Sequence, residues 1–266
     1  MIQKYVESGS SFAPQIDNLI LVVAAITGFW FFLTLGLLIY FVVRYNEKPG
    51  VRAMYIAGED KKEKRWITMP HNVVLVFDIV IIVMALRVWY HVKQEMPTPD
   101  ATVRVIAQQW AWSFVQPGPD GKLDTADDIR TVDELHVEVD KTYHFELQAR
   151  DVLHSFSVPI FRLKQDALPG RTIKGWFHPT ITGGYDIQCT EICGIGHGLM
   201  GARIYVETHD QHQAWMKSHT GAMAMGPTSM TPAPILPNTP PPNSPSINPP
   251  TGPKNEAGQP AGEEKK

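Results

Sequence analysis

The sequence predicts a two-helix transmembrane hairpin, then an all-β Greek-key sandwich, then a disordered proline-rich tail. Three observations predict it. Leu19–Val43 runs 25 residues without a charge, long enough for a tilted helix to cross a hydrocarbon core. Between Ala101 and Glu207 apolar residues alternate in short runs broken by glycine and proline, the pattern of strands and turns. From Gly221 onward lie 12 of the 22 prolines, and such composition cannot bury a core.

Composition excludes several functions. The net charge of -3 over 266 residues leaves no broad basic field, so nucleic acid is excluded as a partner. No C-x-x-C-H run occurs, so no covalently attached haem is encoded.

Residues 1–18 form a short polar segment with Lys4 as its one cationic side chain. A signal peptide would carry a shorter apolar core, a basic start and a small-residue cleavage site. None is present, so residues 19–43 are expected to be a retained first span. Residues 44–70 carry seven cations (Arg44, Lys48, Arg52, Lys61, Lys62, Lys64 and Arg65), which expects them in the cytoplasm. Residues 73–92 form the second span, with both chain ends outside, in the periplasm of a bacterial inner membrane. Asp78 interrupts that span, and an ionisable group at membrane depth marks either function or a neighbouring subunit. Arg87 lies near the outer end, where it can snorkel.

Residues 101–220 are expected as one periplasmic domain. Its strands are predicted at Thr102–Val115, Glu134–Val139, Tyr143–Ala149, Ser155–Val158, Thr172–Phe177 and Ala202–Glu207, with a closing helix at Asp210–His219. The acidic run Pro117–Asp128 lacks the spacing and terminal glutamate of a calcium loop and reads as a solvated turn. Residues 221–266 are the disordered tail.

The chemistry concentrates in Gln188–Gly201, Q-C-T-E-I-C-G-I-G-H-G-L-M-G. It holds both cysteines of the chain, Cys189 and Cys193, then His197 and Met200. These soft and borderline donors select copper over hard cations. A disulfide between them would close only a tiny loop and gain little. Gly194, Gly196, Gly198 and Gly201 let the loop wrap closely around a small object. A cupredoxin-type sandwich takes one further ligand from upstream, and His154 in A-R-D-V-L-H-S-F is the candidate. A single copper needs one thiolate and would leave the second idle. Two thiolates bridging two coppers, with one histidine on each, use every donor. Zinc held by two cysteines and two histidines is the alternative, and it strands Met200.

These residues carry a resemblance. C-x-E-x-C-G-x-x-H-x-x-M, with D-V-x-H-S-F, D-A-x-P-G-R and Q-W-x-W upstream, resembles subunit II of haem–copper cytochrome c oxidases over about Leu19–Thr220. The resemblance implies a cupredoxin-like domain with a dinuclear copper (CuA) centre. Cys189 and Cys193 would bridge two copper ions, and His154 and His197 would bind one each. Met200 and the Glu191 carbonyl would be weak axial ligands, with the Glu191 side chain toward a magnesium ion shared with the catalytic subunit. Asp166 and Arg171 would face that subunit's haem propionates. Trp110 would receive electrons from cytochrome c, soluble or membrane-bound. The implied enzyme is a proton-translocating oxidase in which this chain relays electrons. Oxygen is reduced on the haem-bearing subunit I, and no catalytic residue is expected here.

Three features depart from the family. Ala111 stands where a tyrosine is usual, an acidic insertion follows Phe114, and His71 or Asn72 lies where many relatives carry a glutamate. A membrane-anchored copper chaperone would need an open, exchangeable site. A quinol oxidase subunit II would lack Cys189 and Cys193. Nitrous-oxide reductase carries a similar loop on a much longer soluble chain.

Overall fold

The computed structural model describes residues 7–52 and 55–222. The proline-rich tail expected from residue 221 lies, beyond residue 222, outside the described residues. Two long apolar helices come first, α1 (Ala13–Arg44) and α2 (Lys61–Trp89), and a π-helical turn (Tyr90–Gln94) ends the second. Their side chains are apolar yet uncovered: Phe32 is 70% and Val43 71% exposed. Surface of that kind belongs in hydrocarbon, and helices satisfy their own backbone there. These are membrane helices. Asp78 is exposed on the second.

Ten strands follow: β1 (Ala101–Gln108), β2 (Ala111–Gln116), β3 (Ile129–Val132), β4 (Glu134–Glu138), β5 (Tyr143–Ala149), β6 (His154–Val158), β7 (Leu163–Ala167), β8 (Ile173–Phe177), β9 (Gly183–Cys189) and β10 (Gly201–Glu207). They form two five-stranded sheets, ordered β3-β2-β1-β5-β8 and β4-β10-β9-β6-β7. The β1–β5 and β4–β10 pairs are parallel and the others antiparallel. Strands that pair without being consecutive make this a Greek-key sandwich of cupredoxin type. Helix α3 (His209–Ala222) closes it.

The core between the sheets is aromatic and aliphatic. Trp112, Phe114, Phe145, Phe156, Phe161 and Phe177 are fully buried. A Cβ on Gly175 would come within 2.3 Å of Phe145, so the glycine leaves room for that ring.

Sequence and structure differ in the strands. The run Thr102–Val115, expected as one strand, is a hairpin that turns at Gln109 and Trp110. Its alternation continues through the turn and contains no glycine, proline or asparagine, so nothing local marks the break. The turn is set by distant partners instead: Gln109 N–H donates to Asp151, and Trp110 lies against the Cys189–Met200 loop. Strands β3, β7 and β9 are further additions. β9 opens Gly-Gly, a poor strand signal, and is ordered by β6 and β10 on either side.

Residues 9–12, just before α1, are part of the sandwich surface. Ser10 bridges to Pro179, Gly9 N–H donates to the Ile160 carbonyl, and Phe12 is fully buried. The Phe12 ring meets Trp176 edge-on at 5.1 Å. Arg162 Nε donates to Asp17 Oδ1 at 2.6 Å. At the other helix end, Trp176 Nε1 donates to the Val92 carbonyl and Lys93 Nζ to Gln165.

Candidate metal centre

Strand pairing assembles the site. β6 lies antiparallel to β9 with Phe156 opposite Cys189, which brings His154, the first residue of β6, beside the end of β9. β9 ends at Cys189. The chain then loops through Cys193 and a short 3₁₀ turn at His197–Leu199, and returns as β10. Cys189 N–H donates to the Met200 carbonyl at 3.2 Å, closing the loop on itself.

Within it the donors converge. Cys189 Sγ lies 3.7 Å from Cys193 Sγ, 3.9 Å from His154 Nδ1 and 3.3 Å from the Glu191 carbonyl. Cys193 Sγ lies 3.7 Å from His197 Nδ1 and 3.8 Å from Met200 Sδ. Both cysteines are free, since a disulfide would need sulfurs at about 2 Å. The His154, Cys189 and Cys193 ligand atoms all lie within 4.8 Å of one another, the one such cluster among the described residues. Six expected donors therefore meet in one place.

Four of the six donor residues are buried, while Glu191 and His197 are half-buried. His154 is fully buried, and Cys193 and Met200 nearly so. Burial, with the Cys189 thiol beside it, pushes the Cys193 thiol up to about 11. A group so reluctant to ionise needs a cation to hold it as thiolate, so metal uptake displaces a proton.

Trp110 lies over the loop. Its Nε1 donates to the Cys193 carbonyl at 3.1 Å, and Gln109 Nε2 donates to the same oxygen at 2.8 Å. Two glycines make this approach possible. Gly194 has φ +118, and a Cβ on Gly196 would meet Trp110 Cδ2 at 2.5 Å. A Cβ on Gly198 would meet nothing within 4 Å, so close approach does not require that glycine. Trp110 remains 39% exposed, and Ile192, Ile195 and Leu199 of the same loop are 80%, 96% and 89% exposed.

Asp166 lies on β7, opposite Ser155 in the β6–β7 register, and Arg171 lies on the turn after that strand. Glu191 is half-buried in the loop.

Comparison with known proteins agrees with this geometry. Residues 101–208 match the family described as cytochrome c oxidase subunit II, periplasmic domain. The alternative cytochrome c oxidase subunit 2 of Bradyrhizobium diazoefficiens is 32% identical over 225 residues, spanning 76% of this chain and 79% of that protein. The chain belongs to the cytochrome c oxidase subunit II family. The subunit 2 of Cereibacter sphaeroides is likewise 32% identical, over 80% of this chain and 79% of its own. The solved periplasmic domain of subunit II from Bradyrhizobium japonicum is 28% identical, with a TM-score of 0.44, and covers 48% of this chain and 99% of that one.

Subunit II is the electron-input subunit of the oxidase, so the loop is a copper-binding site of histidine, two cysteines and methionine on a cupredoxin domain of CuA type. Membrane helices carry a periplasmic domain.

Asp151 had no role in the sequence reading. Its Oδ1 accepts from His154 Nε2 at 2.8 Å. Burial raises its carboxyl, but the hydrogen bonds from His154, Gln109 N and Val152 N outweigh that and hold it below the usual carboxylate range. The signal was present as D-x-x-H, because ligating histidines commonly give their second N–H to a carboxylate. Among the other histidines, His136 and His212 are buried and share Glu207, while His209 pairs with Glu138. They hold α3 to the sandwich.

Proposed function

We propose that this chain carries a dinuclear copper centre that takes electrons from a cytochrome c and hands them to the haem-bearing catalytic subunit. The observation that carries the reading is the second thiol. Cys189 and Cys193 face one another at 3.7 Å, with His154 Nδ1 3.9 Å from the first sulfur and His197 Nδ1 3.7 Å from the second. A mononuclear cupredoxin needs one thiolate, whereas this set offers two, each within 4 Å of an imidazole nitrogen.

When bound, the copper pair supplies one-electron exchange at a site with no position for substrate. The protein residues do the rest. Cys189, Cys193, His154 and His197 would hold the metals, with Met200 and the Glu191 carbonyl as weaker further donors. The sandwich supports this by fixing His154 on a strand and the remaining donors on one closed loop. A site that changes shape little between oxidation states wastes little energy in reorganising. Trp110, part exposed and hydrogen-bonded to Cys193, would be the input point for the donor. Asp166, Arg171 and the Glu191 side chain would face the catalytic subunit, the last toward a shared magnesium ion. Exposed Asp78 on α2 favours a protein neighbour for the hairpin over lipid all round.

Both chain ends would lie on the periplasmic side. In support, Ser10 and Phe12 before α1 and Val92 after α2 all touch the sandwich. The helix ends they flank therefore lie on the domain's side, and the seven cations lie between the helices.

The test is copper stoichiometry and electron paramagnetic resonance on the purified oxidase or the full-length chain. Two coppers per chain, with hyperfine structure from two equivalent nuclei, are expected, and Cys189→Ser should abolish the shared-electron signal. A single-copper spectrum would sink the dinuclear reading.

A further inference from the structure

One carboxylate joins the metal centre to the tryptophan above it. Asp151 sits in the turn between β5 and β6, and its two oxygens face different ways. Oδ1 accepts from His154 Nε2 at 2.8 Å and from Val152 N at 2.7 Å. Oδ2 accepts from the backbone N–H of Gln109 at 2.6 Å. Gln109 and Trp110 in turn donate to the Cys193 carbonyl. The contacts close a ring from Asp151 to His154, across the sulfurs of Cys189 and Cys193, to the Gln109–Trp110 turn and back to Asp151.

Each part of that ring has a chemical consequence. A neutral imidazole carries its proton on one nitrogen only, and a carboxylate beside Nε2 draws the proton there. Nδ1, 3.9 Å from Cys189 Sγ, is then left as a lone pair aimed at the metal position. A carboxylate on the far nitrogen also makes the imidazole a stronger donor, which favours the more positive, oxidised metal. Oδ2 meanwhile pins the one turn in the β1–β2 hairpin, and no glycine, proline or asparagine there holds the turn by itself. Without that acceptor, the Gln109 N–H at the base of the tryptophan loses its partner.

We infer that Asp151 is a positioning residue for electron input, holding the copper ligand His154 in its binding tautomer and the Trp110 turn against Cys193 through the same carboxylate. This rests on the copper reading proposed above. It predicts that two properties fail together on one substitution: the metal's ligand field and the contact through which the donor delivers electrons.

The test compares wild-type, Asp151→Asn and Asp151→Ala in the intact oxidase, with full-length chains as a second preparation. Asparagine keeps the shape and an oxygen for His154 but loses the charge. Its spectrum should show copper bound, an altered hyperfine pattern and a higher reduction midpoint, with slower reduction by cytochrome c. Alanine loses both oxygens, and competition with a chelator should show copper affinity down about 10–100-fold. Melting of the copper-free chains separates a merely structural role. If the variants melt lower but keep wild-type midpoint, hyperfine pattern and copper retention, Asp151 is structural and the inference is overturned. It is overturned equally if Asp151→Asn changes the midpoint yet leaves reduction by cytochrome c at the wild-type rate, because the link to Trp110 is then absent. A wild-type chain that takes up no copper overturns the copper reading itself, and this inference with it.

Discussion

At the scale of single residues, Gly196 and Trp110 form a pair in which one residue's lack of a side chain sets the other's position. A methyl group on Gly196 would overlap the indole at 2.5 Å, and a rigid bicyclic ring cannot yield by a bond rotation at its tip. Gly196→Ala is therefore expected to displace Trp110 while leaving the six donors in place. Stopped-flow reduction by cytochrome c should slow severalfold while the copper content and resonance spectrum stay near wild-type. Loss of the copper itself would show instead that the glycine serves the loop fold. A site of histidine, two cysteines and methionine was legible from the sequence because donor chemistry is written in residue type. The reason for Gly196 was not, because the ring it accommodates lies 86 positions upstream (196 − 110).

At the scale of elements, α3 is held to the sandwich by a cluster that responds to acid. The His136 ring lies between Tyr205, at 4.7 Å, and Trp215, at 4.3 Å. His136 and His212 both contact Glu207, and Glu138 takes His209 and Lys141. Burial lowers His212, with Glu207 and Glu138 opposing it and His136 adding to it. A histidine depressed in the fold contributes stability above its unfolded value of about 6.5 and loses it as pH falls below that. Burial raises Glu138, but Lys141 and His209 outweigh it and hold the carboxyl below its ordinary range. That contribution is present above about pH 4.3 and is lost as pH falls further. Acid should thus loosen α3 in two stages, seen as faster amide exchange along His209–Ala222. His212→Gln should remove the upper stage and leave the lower. An unchanged upper stage in that variant would refute the assignment to His212.

The strands show where element-scale reading works. β5, with strict alternation in Tyr143–Ala149 and a buried alternate face, was legible because period-two patterning follows from having one buried side. β9 was not, because its glycines carry no pattern and its order comes from the neighbours on both edges. The hairpin turn at Gln109–Trp110 failed for the same reason, being imposed by Asp151 and Cys193 from other parts of the chain.

At the scale of the whole molecule, residues 9–12 before α1 belong to the sandwich surface although the strands begin at residue 101. Phe12 fills a place beside Trp176 and is fully buried. Phe12→Ala in the full chain should destabilise the sandwich by about 3–5 kcal/mol, the usual cost of deleting a buried aromatic ring. Thermal melting in detergent would measure it, with copper content unchanged because the site lies on other strands. A variant melting like wild-type would mean the sandwich does not depend on Phe12.

The sequence by itself determined the membrane spans, the β class, the copper chemistry and the family, because apolar length, period-two alternation and donor type are properties of local residues. Tertiary structure alone decided that Trp110 sits over Cys193, that Asp151 serves both His154 and the tryptophan turn, and that Phe12 packs beneath Trp176. Each of these joins positions far apart in the chain, and the physical reason is common to all three. Such contacts depend on which strands pair and in what register, and that is settled by packing a shared core rather than by any neighbour in the sequence.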